Sequence, residues 1–547
     1  MKRTNVYAGG GGSIYRLLNK NIKEFNKVKL STIFISFLIS VGFISYKITN
    51  SYALFSDSIT GEKTIEATVD TCNQNKPNAP VLDSAMIPVY YDENTETWKK
   101  ADSTNKSNNW YDYCEKKWAN SVTVADTNRS TYQNAEVGTE IPLSDILTME
   151  VWIPRYKYKV WNYNADGTVG SEPQQIEITF ESKNNKTGEI TCEDAISGTD
   201  ESPSETCKQK KNNTTCTDDT CNNKTYTHPA FTFGDKEING FWVGKFEITG
   251  TIDNITTKPN TKSIKNQNIS TFETNILNMQ NNNNQYGFSG TTDTHMIKNS
   301  EWGAVIYLSH SKYGLCIKKT CSEVNINNSS SMYTGRSGGY PGGYSAVNKV
   351  YKDKSTITKL YNTYGFYKYD GYLLDYLKNY GKSQKNISRV ASTTKNIYGV
   401  YDMSGGADEY TMANVVGPDA TTMISGSGGT YIKHSGYTGL LRTENSETDF
   451  VPYTGIDYPD KKYYDIYSYN IDRGELKTSK LGDGIRETYK QYSDLWYNDS
   501  NGIGSSNAPW FSRGGDYNSG KTAGFFYSNP SYGESKSDTS TRIIITP

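Results

Sequence analysis

Residues 509–515, with the sequence PWFSRGG, begin a C-terminal segment whose chemistry changes twice along its length. This first part is apolar and punctuated by glycine, which predicts a rigid part of the core. Residues 516–540 are mostly Tyr, Ser, Asn, Asp, Gly and Lys, and the isoleucines at 543–545 predict a short strand. Ordered ends around a varied polar and aromatic middle are typical of a recognition surface mounted on a scaffold.

The composition of the whole chain bounds its architecture and its partners. Among 547 residues, 58 Lys and Arg balance 59 Asp and Glu, so the excess of positive charge that nucleic-acid binding needs is absent. The 44 tyrosines, together with many Asn, Ser and Gly, predict short strands and long polar loops rather than a helical bundle. We therefore expect no nucleic-acid partner.

The N-terminal end predicts export. Residues 1–29 carry basic side chains against the single acid Glu24, and residues 30–44 form an uncharged, mainly apolar run. A basic region before an apolar segment places the amino terminus in the cytoplasm and the following chain outside. We assign 1–29 as a basic cytoplasmic region and 30–53 as a signal peptide or a signal-anchor. Small residues up to Ala53 favour cleavage, but the sequence leaves open whether the segment stays in the membrane.

The residues after this segment carry a short resemblance. Residues 53–57, ALFSD, resemble the cleavage region of Gram-positive biofilm-matrix and camelysin-type secreted proteins. The resemblance implies a location outside a bacterial cell, either secreted or held at the cell surface.

The cysteine count is compatible with complete pairing in an oxidising compartment. Spacing suggests local disulfides 216–221 and 316–321, which leaves 192–207 and 72–114 as the remaining pairs. Paired spacing of the zinc-site kind is absent, so disulfides are favoured over a metal. The eight candidates are Cys72, Cys114, Cys192, Cys207, Cys216, Cys221, Cys316 and Cys321.

The middle of the chain predicts a small module followed by a large domain. Alternating short strands separated by polar turns predict a β-rich module over residues 54–147. Its Trp98, Trp110 and Trp118 are expected in the core, with stacking on sugars as the alternative. Residues 148–547 form the predicted main domain, and a polar, cysteine-containing insert at about 182–224 cannot bury a core of its own.

Four blocks of the main domain follow one another in a recognisable order. Residues 240–249 predict a half-buried strand, and residues 295–308 predict a helix capped by Ser300 with Glu301 in its first turn. Residues 396–410, NIYGVYDMSGGADEY, form the third block, and the segment from Trp510 forms the fourth.

In this order the blocks resemble the formylglycine-generating-enzyme-like (sulfatase-modifying factor) branch of the C-type lectin fold. The resemblance covers about 227–547 and implies an α+β domain with long loops, with insertions near 322–395 and 417–495. The third block is the most specific, because its Gly399, Tyr401, Asp402, Met403, Gly405 and Glu409 match the family pattern. The chain departs from that pattern at Gly406, Asp408 and Thr541.

The family's oxidoreductase chemistry is not expected here, although a formylglycine-generating type of oxidoreductase remains the enzyme alternative. The resemblance places copper-binding cysteines soon after the Arg-Gly-Gly motif, whereas the last cysteine of this chain is Cys321. The four histidines lack the paired spacing of a metal site. They are His228, His295, His310 and His434.

Two further patterns are candidates for a catalytic or a metal site. Residues 335–339, GRSGG, fit a nucleophilic-serine motif but lie between loop-like stretches, so a catalytic serine is not expected. Asp402, Asp408 and Glu409 could form a calcium or acid–base cluster. A structural role for these carboxylates ranks first, and we expect no cofactor while leaving a structural calcium ion open.

The C-terminal segment also resembles the variable proteins of diversity-generating retroelements, whose lectin-like domain ends in a diversified surface. That resemblance divides the segment into framework and contact positions. The framework positions are Trp510, Phe511, Arg513, Gly514, Gly515, Gly524, Phe525 and Arg542. The ligand-contact positions are Asp516, Tyr517, Asn518, Ser519, Lys521, Tyr527, Ser528, Asn529, Ser531, Tyr532, Glu534, Lys536 and Asp538.

Together these patterns predict a non-catalytic, exported and surface-displayed binding protein, of adhesin or receptor type, whose ligand is a protein or a glycan outside the cell. A structural component of a cell-surface or biofilm layer is the second alternative. The alternative without a binding function is that residues 516–540 are only solvent-exposed loops over the core.

Overall fold

A computed structural model of the chain describes its larger C-terminal part, with gaps. Residues 1–53 and five of the eight cysteines lie outside the described residues, as does most of the predicted insert at 182–224. The described residues are 76–159, 173–189, 225–281, 283–317, 320–327, 329, 331–336, 359–361, 367–369, 391–416, 424–425, 435–442, 450–470, 475–476, 482–491, 494–502, 504 and 508–547.

A seven-stranded antiparallel sheet, here the large sheet, forms one layer of the fold. Its order from edge to edge is β13-β29-β10-β4-β3-β1-β2. The strands are β1 (Ile87–Asp92), β2 (Thr97–Lys100), β3 (Asn120–Val124), β4 (Ile146–Pro154), β10 (Gly240–Gly244), β13 (Asp293–Met296) and β29 (Ile543–Thr546). The predicted strand at 543–545 is therefore confirmed in full. The predicted strand at 240–249 is confirmed in part, because β10 ends at Gly244.

The proposed boundary at residue 147 does not divide the described chain. It falls inside β4, and β4 pairs with β3 on one side and with β10 on the other. The strands assigned to a separate module are thus part of the large sheet. The backbone N–H and C=O groups at the edge of β3 pair with β4 instead of remaining exposed. As expected, Trp98, Trp110 and Trp118 are core residues, with exposed fractions of 1%, 1% and 0%.

A second, six-stranded sheet, here the mixed sheet, carries the third and fourth sequence blocks. Its main order is β23-β22-β18-β26-β27, and β28 also pairs with β18. The strands are β18 (Asp408–Val416), β22 (Asp465–Asn470), β23 (Glu475–Leu476), β26 (Trp510–Gly514), β27 (Gly524–Ser531) and β28 (Thr539–Ser540).

Short strands fill the connections, as the turn-rich composition predicts. Two three-stranded sheets and several hairpins are formed by β5 (Tyr156–Lys159), β6 (Ile178–Phe180), β7 (Thr225–Thr227), β8 (Thr232–Phe233), β9 (Lys236–Glu237), β11 (Thr249–Thr251), β12 (Asn254–Thr256), β14 (Cys316–Ile317), β15 (Thr320–Cys321), β16 (Lys359–Tyr361), β17 (Tyr367–Tyr369), β19 (Ile424–Ser425), β20 (Gly439–Arg442), β21 (Phe450–Tyr453), β24 (Tyr489–Gln491) and β25 (Asp494–Leu495).

Three α-helices occur within the described residues: α1 (Asp126–Asn134), α2 (Ile269–Leu277) and α3 (Asn299–Ser309). With the sheets they make the architecture α+β, as predicted. Every residue of α3 is buried, and the helix begins one residue before the predicted cap. Ser300 is not the cap: its N–H and hydroxyl donate to the Asp465 carboxylate, while the backbone N–H of Lys298 donates to Glu301 at 2.9 Å.

No helix in the described part of the chain combines the length and the apolar character needed to cross a membrane.

The described cysteines are disulfide-bonded, as predicted. Cys316 and Cys321 face each other across the hairpin β14–β15 and form the expected local bond. Cys114 is also disulfide-bonded, and its predicted partner Cys72 lies outside the described residues.

Candidate functional site

A pocket of about 460 Å³ opens on the mixed sheet beside the C-terminal segment. Its walls come from the first residue of β18, from β27, from the two loops that flank β27 and from the first residue of β28. We call it the C-terminal pocket, and it is lined by Asp408, Asp516, Ser519, Tyr527, Asn529, Ser535, Lys536, Ser537, Asp538 and Thr539.

Arg513 anchors the wall of the pocket from beneath. Its guanidinium is fully buried, donates from Nε to the Tyr527 carbonyl at 2.7 Å and from Nη1 to the Asp483 carbonyl at 3.0 Å, and lies over the Trp302 ring. These contacts tie β26 to β27 and to the loop before β24. The predicted framework role of Arg513 is a structural one in this fold.

Gly514 and Gly515 turn the chain from β26 into the pocket wall. Their φ angles are +84° and +71°, a region that a residue with a Cβ atom rarely adopts. The remaining predicted framework residues are also buried, namely Trp510, Phe511, Gly524, Phe525 and Arg542.

Arg542 holds the third sequence block against the large sheet. Its guanidinium pairs with both carboxylate oxygens of Glu409, at 2.6 and 3.1 Å. It also donates to the carbonyls of Gly244 and Tyr401, each at 2.8 Å. Burial raises the pKa of Glu409 to about 7, although Arg542 opposes that shift.

Asp402 belongs to the same interior cluster. Its carboxylate accepts hydrogen bonds from the N–H of Gly335 at 2.8 Å and from Asn327 Nδ2 at 2.9 Å. Burial raises the pKa of Asp402 to about 6, and the nearby Glu247 has a pKa raised well above its usual range by burial and by Asp402. The nucleophilic-serine pattern is thus partly used for structure, while Ser337 lies outside the described residues.

The three carboxylates weighed as one cluster therefore do not converge. Asp408 and Glu409 are neighbours on β18 and point to opposite faces of the sheet, because successive strand residues alternate. Glu409 and Asp402 face inward to protein donors, whereas Asp408 lines the C-terminal pocket. The alternative of a single calcium or acid–base cluster therefore does not fit, and Asp402 and Glu409 take the structural role that ranked first.

Asp408 sits at the base of the pocket in an unusual setting. Its Oδ2 accepts from the Ser512 hydroxyl at 2.7 Å, while its Oδ1 is buried and has no hydrogen-bond partner among the described residues. Burial raises the pKa of Asp408 to about 7, and the carboxylates of Asp516 and Asp538 add to the shift, which Ser512 and Lys536 oppose.

The rim of the pocket is organised by short local contacts. Asp516 accepts hydrogen bonds from the Ser519 hydroxyl at 2.6 Å and from the Asn518 N–H at 3.2 Å. Lys536 lies 3.8 Å from the Glu534 carboxylate and 3.4 Å from the Ser531 hydroxyl. Both loops are thereby held in defined positions over the sheet.

The predicted contact residues fall into three groups. The residues that line the pocket are Asp516, Ser519, Tyr527, Asn529, Lys536 and Asp538. The residues that are half-buried or exposed outside it are Tyr517, Asn518, Lys521, Tyr532 and Glu534.

Ser528 and Ser531 form the third group, and for these two the contact prediction is wrong. Both are buried, with exposed fractions of 0% and 2%. The Ser528 hydroxyl donates to the Gly502 carbonyl at 2.7 Å, and the Ser531 hydroxyl contacts the Tyr410 hydroxyl at 3.2 Å. They lie on β27, and composition alone does not reveal which of its residues the neighbouring chain covers.

Four lining residues were missing from the predicted contact set: Asp408, Ser535, Ser537 and Thr539. Ser535 and Ser537 are exposed within the segment 516–540, so their polar character was an available signal. Asp408 comes from a distant block, and only the pairing of β18 with β26 and β28 brings it to the pocket.

The histidines of the described residues have structural surroundings. Burial lowers the pKa of His228 to about 3 and that of His310 to about 4. His295 lies between Glu301 and Asp293, whose charges overcome the effect of burial and raise its pKa to about 9. His434 lies outside the described residues.

One group of potential metal ligands occurs in the described part of the chain, formed by His310, Cys316 and Cys321. The two sulfur atoms are bonded to each other, so this form of the protein offers no thiolate there.

No protein-family model matches the chain, and no curated protein matches its sequence.

Proposed function

We propose that this chain is an exported, surface-displayed binding protein that grips a ligand with its C-terminal pocket and the adjoining loops, and that it has no catalytic role. The observation that supports this best is the contrast between the residues beneath the C-terminal pocket, here the floor, and the polar residues around its opening, here the rim. The floor consists of buried residues with defined partners, whereas the rim carries varied polar side chains around an open pocket of about 460 Å³.

We further propose that the domain has a C-type lectin-like fold of the formylglycine-generating-enzyme branch. Support comes from the sequence blocks and from the way the fold uses them. The third block forms the loop that contacts Arg542 and then enters β18, while the fourth forms β26 beside it. The final strand β29 returns to the large sheet between β10 and β13.

The copper-binding cysteines that formylglycine-generating enzymes use to activate oxygen are missing at this site. No cysteine follows Arg513 in the sequence, and the Arg513 guanidinium donates from Nε and Nη1 to backbone carbonyls and lies over Trp302. A binding role requires only the rim and the pocket.

The test is a comparison of two fourfold alanine variants on glycan and peptide arrays, using fluorescently labelled full-length protein. The rim variant changes exposed residues beside the pocket, and the control changes similar exposed residues elsewhere. The rim set is Asn518, Lys521, Ser535 and Ser537; the control set is Asn254, Lys236, Thr131 and Thr251.

We expect the rim variant to lose most of the signal that wild type gives on its best array positions, while the control variant keeps it. Equal signals from the two variants would show that the ligand is held elsewhere. Circular dichroism and melting temperature of both variants confirm that the fold is intact.

A further inference from the structure

The charges of the C-terminal pocket are unbalanced. Its lining includes the carboxylates of Asp408, Asp516 and Asp538 and one basic group, Lys536, while its other members are neutral. The Lys536 ammonium lies near Glu534 and Ser531 rather than in an ion pair with Asp408. The pocket therefore has an excess of negative charge when its carboxylates are ionised.

Asp408 is the carboxylate that water and protein solvate least. One of its oxygens accepts a single hydroxyl hydrogen bond, and the other is buried without a hydrogen-bond partner among the described residues. A buried carboxylate without a paired cation is costly to ionise, and a cation placed beside it offsets that cost. The pocket that Asp408 lines has a volume of about 460 Å³, which is enough for a side chain.

We propose that this pocket receives a basic side chain of a protein ligand, an arginine or a lysine, whose positive charge lies against the Asp408 carboxylate. This inference rests on the proposed binding function and names the chemistry of the ligand. A sugar fits less well, because sugar sites usually offer an aromatic face. The one aromatic residue in the lining, Tyr527, is only 8% exposed.

Binding of a cation at this place would be linked to a proton. Because Asp408 is partly protonated near neutral pH, a basic ligand binds its ionised form better and drives the proton off. The affinity should then rise by roughly tenfold between about pH 6 and about pH 8 for a group that titrates near 7. The titratable groups that act on Asp408 in this setting are Asp516, Asp538, Lys536, Tyr410 and Tyr527.

The experiment uses full-length protein and an array of acetylated heptapeptides that differ only in the central residue. That residue is arginine, lysine, citrulline, norleucine or glutamate, and the flanking positions carry the same mixture throughout. Citrulline retains the shape and most hydrogen-bonding groups of arginine without its charge. The protein variants are Asp408→Asn, which retains the size of the side chain, and Asp253→Asn, which removes one exposed charge on the β11–β12 hairpin.

The expected result is at least a tenfold preference for arginine and lysine over citrulline and norleucine in wild type and in Asp253→Asn. Asp408→Asn should lose that preference and its pH dependence. If Asp408→Asn does not fold, Asp538→Asn is used in its place. It removes a second carboxylate of the same pocket and should weaken the preference for arginine and lysine.

Other outcomes overturn the inference in distinguishable ways. Retention of peptides without a preference for basic residues, or a preference that Asp253→Asn also loses, contradicts it and leaves the proposed function standing. Binding of Ca²⁺ alone that Asp408→Asn abolishes would make the pocket a cation site instead. Failure of wild type to retain any peptide or glycan on the arrays would count against both proposals.

Discussion

Arg542 and Glu409 form a two-point ion pair in the interior, with Nη2–Oε1 and Nε–Oε2 distances of 2.6 and 3.1 Å. The pair joins the strand β18, where the pocket begins, to the residue just before β29. Both side chains are almost completely buried, with exposed fractions of 0% and 1%. Arg542→Met should therefore lower the free energy of unfolding by about 3–5 kcal/mol, because it leaves Glu409 without its cation.

Urea denaturation measures that loss. The matched control is Asp126→Asn, which breaks the Arg129–Asp126 pair in which Asp126 is 85% exposed. The control should change the unfolding free energy by less than about 1 kcal/mol. Equal effects of the two substitutions would contradict the central role given to the Arg542–Glu409 pair.

Glu150 makes the stability depend on pH. It lies in the middle of the large sheet on β4, accepts from the Ser121 hydroxyl at 3.0 Å, and has a pKa that burial raises to about 8. The folded protein thus holds a proton that the unfolded chain releases near its ordinary pKa of 4.5. This contribution to stability is complete below that value and is lost as the pH rises through about 8.

The Glu150→Gln variant should remove this dependence, since glutamine stays neutral at every pH. Between about pH 5 and about pH 8, wild type should lose up to ~1.4 kcal/mol of unfolding free energy per pH unit through this group. The variant should have a flatter profile in urea titrations, whereas Glu136→Gln on the surface should follow wild type. Parallel profiles for wild type and Glu150→Gln would refute the assignment.

Gly303 allows α3 to approach the loop before β24. A Cβ atom at this position would overlap the carbonyl oxygen of Gly482. Gly303→Ala should destabilise the protein by about 1–3 kcal/mol through overpacking, although alanine favours helices by about 1 kcal/mol. Gly290→Ala, where a Cβ atom would have no neighbour within 4 Å, is the control and should stay within about 0.5 kcal/mol. Thermal melting of both variants distinguishes close packing from a general intolerance of alanine.

The C-terminal segment should tolerate large substitutions at some positions and reject them at others. Lys521→Tyr changes an exposed side chain and should leave the melting temperature within a few degrees of wild type. Ser528→Tyr places a ring where the serine is completely buried against the loop at Gly502, so this variant should fold poorly. Equal tolerance at both positions would mean that β27 can rearrange to accept a ring.

The sequence predicted the parts of this fold that depend on local pattern. The strands of the isoleucine run and of residues 240–244, the buried tryptophans and the Cys316–Cys321 pair are all local signals, and the structure contains each of them. Register and partner choice are not local. The pairing of β3 with β4 therefore contradicts the boundary placed between residues 147 and 148 on the pattern of short alternating strands.

The same limit applied to the candidate site. The predicted contact positions include six of the ten lining residues, because polar side chains cluster in residues 516–540. Asp408 was considered together with Asp402 and Glu409 because it lies close to them in sequence. Strand alternation turns it away from Glu409 and into the pocket. Ser528 and Ser531 were misassigned because the chain at Gly502 covers the first and the Tyr410 side chain covers the second, and neither contact is visible in the sequence.

The position of β29 between β10 and β13 has a consequence for the order in which the chain can fold. Arg542 and the Gly244 carbonyl that it contacts are 298 residues apart in sequence. Until residues 543–546 have been synthesised, β10 and β13 each present an edge with unpaired backbone groups. Contacts of such long range close slowly. A nascent chain would therefore need protection from aggregation until residues 543–546 have been made, and a protein truncated after residue 541 should accumulate as insoluble material.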